Sequence, residues 1–356
     1  MMVASHTRIG SATQRLWYFD ALRAIAILAV VTIHAAITEW HQAPVESWRW
    51  DVLNWINSLP RFCVPVFLMI SGALFLDPSR EVTWRALWRK YLPRVAAAFA
   101  AWSLFFALVN VYGPGGSGSF PELVTRFFTG HFHLWFLLAL MGLYLLVPIL
   151  RPIVRDRRVA WYFVGLALPF AYVFPMLERV PAIGDVLGSM LGAAKLELVL
   201  GYSSYFVLGY LLSRVRLQPW QLWALAGAGA AGLAATAVGT AAVSRRAGEW
   251  DELFYGFLTP NVLAVSVAVF CLVKAAGDRG DPAREPSRIV GFLSNYSFGI
   301  YLVHPFFQWV YRQFGLTTEF AHPLISVPAL TLLVLIPSAV TAVLISRIPR
   351  VGRFLG

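Results

Sequence analysis

The sequence predicts an all-α, polytopic membrane protein with about ten transmembrane helices. Hydrophobic residues make up 58% of the chain and charged residues only 13%, and the mean hydropathy is +0.65. A soluble domain carries charge on about a quarter of its residues, so water cannot be the main solvent of this surface. A length of 356 residues suits ten spans of roughly 20 residues joined by short loops.

Ten apolar runs of spanning length follow one another along the chain. We expect them to form one transmembrane domain over residues 17–346, with tails at 1–16 and 347–356. Prolines interrupt the fifth run, and Glu197 starts the sixth. The runs are Trp17–Thr38, Ser58–Leu76, Leu92–Tyr112, His131–Leu150, Val159–Met176, Glu197–Ser213, Trp220–Val243, Phe257–Ala276, Ile289–Tyr311 and Pro323–Ile345.

The distribution of basic residues predicts the orientation. Twenty of the 29 Lys and Arg residues fall in tails and loops on one side of the ten spans, against seven on the other side. Basic loops stay in the cytoplasm, so both termini are expected there. The remaining two, Arg23 and Arg61, lie inside predicted spans.

Other features exclude whole classes of function. The net charge of +11 does not indicate nucleic-acid binding, because the basic residues are strung between apolar runs and form no basic face. Cys63 and Cys271 both lie in apolar runs and suggest neither a disulfide framework nor a metal cluster. No metal site is expected. No internal repeat is evident, which weakens a transporter built from inverted halves.

The first span carries three ionisable residues, Asp20, Arg23 and His34. A charge in the hydrocarbon costs at least about 2.5–3.5 kcal/mol, so such groups are functional candidates by default. Arg23 and His34 are eleven residues apart, which places them about 16 Å apart along the helix on nearly the same face. We expect both to face one cleft, with Asp20 pairing with Arg23. The alternative is an interfacial ion pair and one hydrogen-bonded histidine.

Polar residues in two further spans extend this pattern. Arg61 opens the second span and either lines the cleft or snorkels to the outer headgroups. Ser71 and Gly72 lie deeper, where small residues permit close helix packing. His131 and His133, followed by Trp135, lie at the outer start of the fourth span, where such residues also serve as simple anchors.

The ninth span contains Tyr301, His304 and Pro305. The proline has no N–H and therefore frees a backbone carbonyl near Tyr301. A buried tyrosine and a buried histidine both need hydrogen-bond partners, so this segment predicts a local polar network.

The inner loop after the second span is the densest basic stretch of the chain. The positive-inside rule explains some of its charges, and an anionic, phosphate-bearing ligand or anionic lipid would explain the rest. The residues are Arg80, Arg85, Arg89, Lys90 and Arg94, interleaved with Trp84 and Trp88.

Four motifs in this order resemble the membrane acyltransferases of the acyltransferase-3 family, in particular the branch that O-acetylates bacterial surface polysaccharides. The resemblance covers nearly the whole chain. The motifs are Asp20-x-x-Arg23 continuing as Arg-x10-His to His34, Val64–Gly72, His133-Leu-Trp135, and Tyr296–Pro305.

The resemblance implies an O-acyltransferase of the bacterial cytoplasmic membrane that takes an acyl group, in the simplest case acetyl, from cytoplasmic acyl-CoA. The acceptor would be a hydroxyl of a surface or lipid-linked polysaccharide. His34 would be the general base, and Arg23 would hold the donor. No cofactor would be bound permanently, acetyl-CoA being a co-substrate. Partners would be the lipid bilayer and the glycan, with polysaccharide-assembly proteins or a second copy of the chain as further candidates.

The resemblance also assigns two binding sets. Substrate-binding residues would be Asp20, Arg61, Ser71, His133, Trp135, Tyr301 and His304. Acyl-CoA-binding residues would be Arg85, Arg89, Lys90 and Arg94, although the family's inner Arg-x-x-Arg motif has Tyr91 at its first position here.

Two other functions remain open at the level of sequence. A transporter or flippase of a lipid-linked sugar or small solute would also need polar groups along a cleft. A non-catalytic partner in polysaccharide assembly would need no thioester at all. Consumption of acyl-CoA separates both from an acyltransferase.

Overall fold

The computed structural model describes residues 16–180, 184–185, 188, 196–278, 285–349 and 352–355. These residues are almost all helical, and none of them forms a β-strand. The main helices are α1 Trp17–Gln42, α2 Trp48–Ser58, α3 Cys63–Phe75, α4 Leu92–Tyr112, α5 Phe120–Thr129, α6 Trp135–Arg155, α7 Arg157–Ala167, α8 Leu196–Arg214, α9 Pro219–Ala247, α10 Pro260–Asp278, α11 Arg288–Gln313 and α12 Pro323–Ser346.

Short helical turns connect or extend several of these helices. A 3₁₀ turn, Leu59–Phe62, joins α2 to α3, and another, Phe132–Leu134, precedes α6. The π-helical turn Leu87–Tyr91 leads into α4, and a second one, Leu168–Val173, continues α7 towards Phe174–Leu177. Each of these turns lies beside a predicted span boundary or a proline.

Every one of the ten predicted apolar runs coincides with an observed helix. In the part of the chain that the structure describes, eight helical segments are long and apolar enough to cross a membrane. The all-α, polytopic membrane class is therefore confirmed. The count of ten spans and the cytoplasmic side of the termini stay predictions, and residues 1–15 lie outside the described residues.

Contacts at one end of the bundle join the segments expected on the cytoplasmic side. Arg151, in the last turns of α6, donates hydrogen bonds to the carbonyl oxygens of Phe75 (2.8 Å) and Arg80 (3.1 Å). Arg214, the last residue of α8, pairs with Asp77 just beyond α3. The C-terminal ends of α3, α6 and α8 therefore meet at the same end, as the predicted alternation of spans requires.

Contacts at the other end join the segments expected outside the membrane. Arg49, in the first turn of α2, pairs with Glu39 of α1. It also donates to the carbonyl oxygens of Thr318 (2.7 Å) and Ala321 (3.1 Å), in the connection between α11 and α12. One arginine thus holds three outer segments together.

Helices α3 and α8 cross with their backbones in contact. A Cβ atom at Gly72 would fall on the backbone of Phe206, and one at Gly209 would fall on the backbone of Met69. Each glycine therefore makes room for the opposite helix, as the sequence indicated for Gly72.

We expect the substitution Gly209→Ala to destabilise the protein by about 1–3 kcal/mol, the usual cost of overpacking, because the two helices must separate. The melting temperature of the detergent-solubilised protein measures this. Gly142→Ala in α6 is the matched control, since nothing lies within 4 Å of a Cβ there and alanine favours the helix. Equal melting temperatures for the two variants would contradict the close crossing.

Candidate active site

Asp20 fixes the inner end of α1 against α11. Its carboxylate is buried and accepts a hydrogen bond of 2.6 Å from Ser294 Oγ. Arg23 Nη1 lies 3.7 Å from Asp20 Oδ1, so the ion pair expected from their spacing is present. Asp20 therefore acts as a support for the Arg23 side chain.

Arg23 lines a cavity of about 330 Å³ between α1, α3, α4, α6 and α11, which we call the inner cavity. Arg94 also lines it and is an exposed residue, so the cavity opens where α4 begins. Most of the wall is apolar or aromatic. The full lining is Arg23, Val30, Val64, Phe67, Ser71, Leu74, Phe75, Tyr91, Arg94, Val95, Phe136, Leu140, Tyr144, Ser297, Phe298 and Tyr301.

His34 lines a second, smaller cavity of about 30 Å³, which we call the outer pocket. The lining is mostly polar and includes Glu39, Gln308, Arg312 and Thr318. Its walls come from α1, α11, α12 and the connection between α11 and α12. The buried Glu39 carboxylate accepts a hydrogen bond from Thr318 Oγ1 in addition to its pair with Arg49.

Arg23 and His34 line two different cavities in this structure, whereas their spacing predicts one shared cleft. The inner cavity and the outer pocket have no lining residue in common. Tyr301 lines the inner cavity, and His304, three residues later in α11, is in ring contact with His34. Helix α11 therefore contributes Tyr301 to the cavity that Arg23 lines and His304 to the surroundings of His34.

A cluster of aromatic rings lies between the two cavities. We call it the histidine cluster, and its members are His34, His131, His133, Tyr301 and His304. The His304 ring centroid lies 5.1 Å from that of His34 and 5.6 Å from that of His133. The Nδ1 atoms of His131 and His133 are 2.8 Å apart, and the Tyr301 hydroxyl donates to the His133 carbonyl oxygen. Residues from α1, α11 and the segment before α6 meet at this point.

Pro305 determines which nitrogen of His304 carries the proton. Because Pro305 has no N–H, the carbonyl four residues earlier, that of Tyr301, has no helical partner. His304 Nδ1 lies 2.7 Å from that carbonyl oxygen. A carbonyl only accepts, so Nδ1 is the protonated nitrogen. Among the residues that the structure describes, the buried Nε2 atoms of His304 and His133 have no hydrogen-bond partner.

A comparison with known protein families shows which family this chain belongs to. A family model described as an acyltransferase domain matches residues 16–347. The chain belongs to the acyltransferase-3 family. No curated protein and no solved structure matches the chain. This acyltransferase-3 protein is therefore a multi-pass membrane acyltransferase.

Gln308 is a candidate residue of the acyltransferase-3 chain that the sequence did not lead us to expect. Gln308 lines the outer pocket, is 7% exposed, and its Nε2 atom has no hydrogen-bond partner. It lies on the same face of α11 as Ser297, Tyr301 and His304, at helical spacings of four, three and four residues. That spacing is visible in the sequence and could have identified it.

Five of the seven predicted substrate-binding residues of the acyltransferase lie outside the linings of both cavities: Asp20, Arg61, His133, Trp135 and His304. Asp20 supports Arg23, and His133 and His304 belong to the histidine cluster, which leaves Arg61 and Trp135. Arg61 does not snorkel to the headgroups, because it is only 7% exposed and its guanidinium lies 3.8 Å from the ring centroid of Tyr255. Trp135 stacks on Phe257, at 5.7 Å between ring centroids, and packs on Tyr202. Both residues support the walls of the bundle in this conformation.

Among the four residues predicted to bind acyl-CoA, only Arg94 lines the inner cavity. Arg85, Arg89 and Lys90 are exposed on the turns that lead into α4. Tyr91 does line the cavity, and Lys90 Nζ lies 5.2 Å from its ring centroid. The π-helical turn Leu87–Tyr91 shifts the helical register here by one residue, a distortion that is frequent at functional sites.

The site offers no evident place for a metal ion. Among the described residues, no three or more His, Cys, Asp or Glu side chains are grouped so as to hold one.

Proposed function

We propose that this protein transfers an acyl group, in the simplest case acetyl, from cytoplasmic acyl-CoA to a hydroxyl of a surface or lipid-linked polysaccharide. The proposed location is the bacterial cytoplasmic membrane. The observation that carries the proposal is the pair of cavities on either side of the histidine cluster. The inner cavity is the larger and is lined by two arginines among aliphatic and aromatic side chains, whereas the outer pocket is small and most of its lining residues have polar side chains.

The inner cavity supports the choice of donor. Its volume of about 330 Å³ falls within the range of small-ligand sites, which begins at about 300 Å³. A pantetheine thioester is a long, flexible and weakly polar arm, and the lining of aliphatic and aromatic side chains suits it. Arg94 at the exposed end suits the phosphates of the attached nucleotide, since guanidinium groups recognise phosphate in a bidentate manner.

The outer pocket supports the choice of acceptor. A carboxylate, an amide, a hydroxyl and a guanidinium surround it, and these groups hydrogen-bond to the hydroxyls of a sugar. A cavity of about 30 Å³ holds one or two water-sized groups. It therefore admits one hydroxyl and its carbon, while the rest of a glycan stays outside the bundle.

The proposed reaction is a proton-coupled acyl transfer. The His34 imidazole accepts the proton of the acceptor hydroxyl as the oxygen attacks the thioester carbonyl carbon. The carbon–sulfur bond then breaks, and the departing thiolate receives the proton to give free CoA. Because Arg23 and His34 line different cavities in this structure, the proposed reaction includes a rearrangement of the ring cluster that brings the thioester to His34.

The test uses the purified protein reconstituted in liposomes. Acetyl-CoA labelled in its acetyl group is supplied with glycan extracted from cells that lack the gene, which provides the unmodified acceptor. We expect alkali-labile label on the glycan and stoichiometric release of free CoA. Acetyl-CoA labelled in its adenine ring is the control and should leave the glycan unlabelled. Passage of glycan across the membrane with the thioester intact would instead indicate a flippase.

A further inference from the structure

We infer that His304 is a positioning residue for His34, holding the base through the lone pair on its Nε2 atom. The inference rests on the proposed function, in which His34 removes the proton from the acceptor hydroxyl. His304 itself does not touch the reacting atoms.

A histidine that acts as a general base normally needs a partner that fixes its orientation, commonly a carboxylate. In the part of the chain that the structure describes, no carboxylate forms a hydrogen bond or an ion pair with His34. Glu39, which shares the outer pocket, is engaged by Arg49 and Thr318. Glu319, on the same pocket, is exposed. A hydrogen-bond acceptor other than a carboxylate can therefore fix the orientation of the His34 ring.

His304 supplies an acceptor that is fixed by the backbone. The Tyr301 carbonyl, freed by Pro305, holds the proton of His304 on Nδ1. In the neutral ring, Nε2 then carries the lone pair and can only accept a hydrogen bond. The missing N–H of Pro305 thus selects the tautomer of a side chain one residue away.

The surroundings of this lone pair point to His34. Nε2 of His304 is buried and has no hydrogen-bond partner within the described part of the chain, and an unsatisfied buried polar atom costs about 1–3 kcal/mol. The His34 ring is the closest of the three cluster rings around His304, at 5.1 Å between centroids against 5.6 Å for His133 and 6.1 Å for Tyr301. Catalytic hydrogen bonds are often long without substrate and shorten in the bound complex.

The two nitrogens of His304 can be tested separately by two amide substitutions. Asparagine places an N–H near the Nδ1 position and can keep the bond to the Tyr301 carbonyl. Glutamine places a carbonyl oxygen near the Nε2 position and can keep an acceptor for His34. A purely structural role for His304 favours asparagine, whereas the orienting role favours glutamine.

The experiment compares kcat and KM of the reconstituted wild type, His304→Gln and His304→Asn in the acetyl-transfer assay. We expect kcat of His304→Asn to fall about tenfold, the worth of one neutral hydrogen bond, with KM for acetyl-CoA unchanged. His304→Gln should retain clearly more activity than His304→Asn. Activity of His304→Asn equal to or above that of His304→Gln would overturn the inference.

A second variant leaves the His304 ring in place, and it therefore tests the inference even if the two His304 variants misfold. Pro305→Ala restores a backbone N–H that competes with His304 Nδ1 for the Tyr301 carbonyl oxygen. The proton of His304 is then no longer held on Nδ1. We expect a lower kcat with an unchanged size-exclusion profile, and an unchanged kcat would count against the inference. Absence of transfer by the wild type would reject the proposed function itself, a result that these variants cannot mimic.

Discussion

Replacing His34 by alanine is expected to lower the rate of acyl transfer by about 10²- to 10⁴-fold, the usual contribution of a general base. The substitution removes the imidazole that lines the outer pocket beside Gln308 and Arg312. It leaves the inner cavity unchanged, because His34 contributes nothing to that lining. The expected signature is therefore a fall in kcat, with KM for acetyl-CoA close to the wild-type value. The labelled acetyl-transfer assay in liposomes measures both.

The matched control for this experiment is His41→Ala. His41 lies two turns further along the same helix, where it contacts Glu252 with an N–O distance of 3.0 Å. This partly exposed pair is worth about 0–1 kcal/mol at most, so transfer should remain near the wild-type rate. If His34→Ala retained full transfer, or if both histidine variants lost it equally, His34 would not be the base.

The membrane fold could be predicted in some detail from the sequence. In hydrocarbon every backbone polar group must be satisfied within the segment, so an apolar run of spanning length has the helix as its main solution. The third predicted run, Leu92–Tyr112, is observed with the same bounds. The ninth run was read correctly as a helix despite its many polar residues, because its apolar residues remained numerous.

The arrangement of the site was harder to predict from the sequence than the membrane fold. Helical spacing correctly placed Arg23 and His34 on one face of α1, but it says nothing about which helix approaches that face. The separation of the two cavities depends on Tyr301 and His304 of α11, nearly three hundred residues away along the chain. Contacts between residues so far apart in the sequence follow from the packing of whole helices, and no local sequence pattern predicts them.

Single polar residues near span ends were the most ambiguous. Arg61 was compatible with the cleft and with the headgroups, and it occupies neither, since it packs against Tyr255. The sequence alone cannot show this, because the aromatic partner comes from a distant loop. Gln308, in contrast, continues the helical stripe of His304 and was recognisable in principle.

Removing the guanidinium of Arg94 is expected to reduce kcat/KM for acetyl-CoA by about ten- to a hundredfold, the value of a hydrogen bond to a charged group. Arg94 lines the inner cavity at its exposed end, with its guanidinium 5.4 Å from the ring centroid of Phe298. In the proposed function, a cation placed there would meet the nucleotide phosphates of the donor, not the thioester. The loss in Arg94→Ala should therefore appear in KM, with kcat at saturating donor largely preserved.

A truncated donor shows whether Arg94 recognises phosphate. S-acetyl-pantetheine carries the thioester and most of the arm but lacks the nucleotide and its phosphates. With this donor, wild type and Arg94→Ala should be equally active, because the group that Arg94 binds is absent. Arg157→Ala, at an exposed arginine that begins α7, is the matched control and should behave as wild type with both donors. If Arg94→Ala lost transfer activity equally with both donors, Arg94 would shape the cavity instead of binding phosphate. The donor would then have to enter the inner cavity by another route.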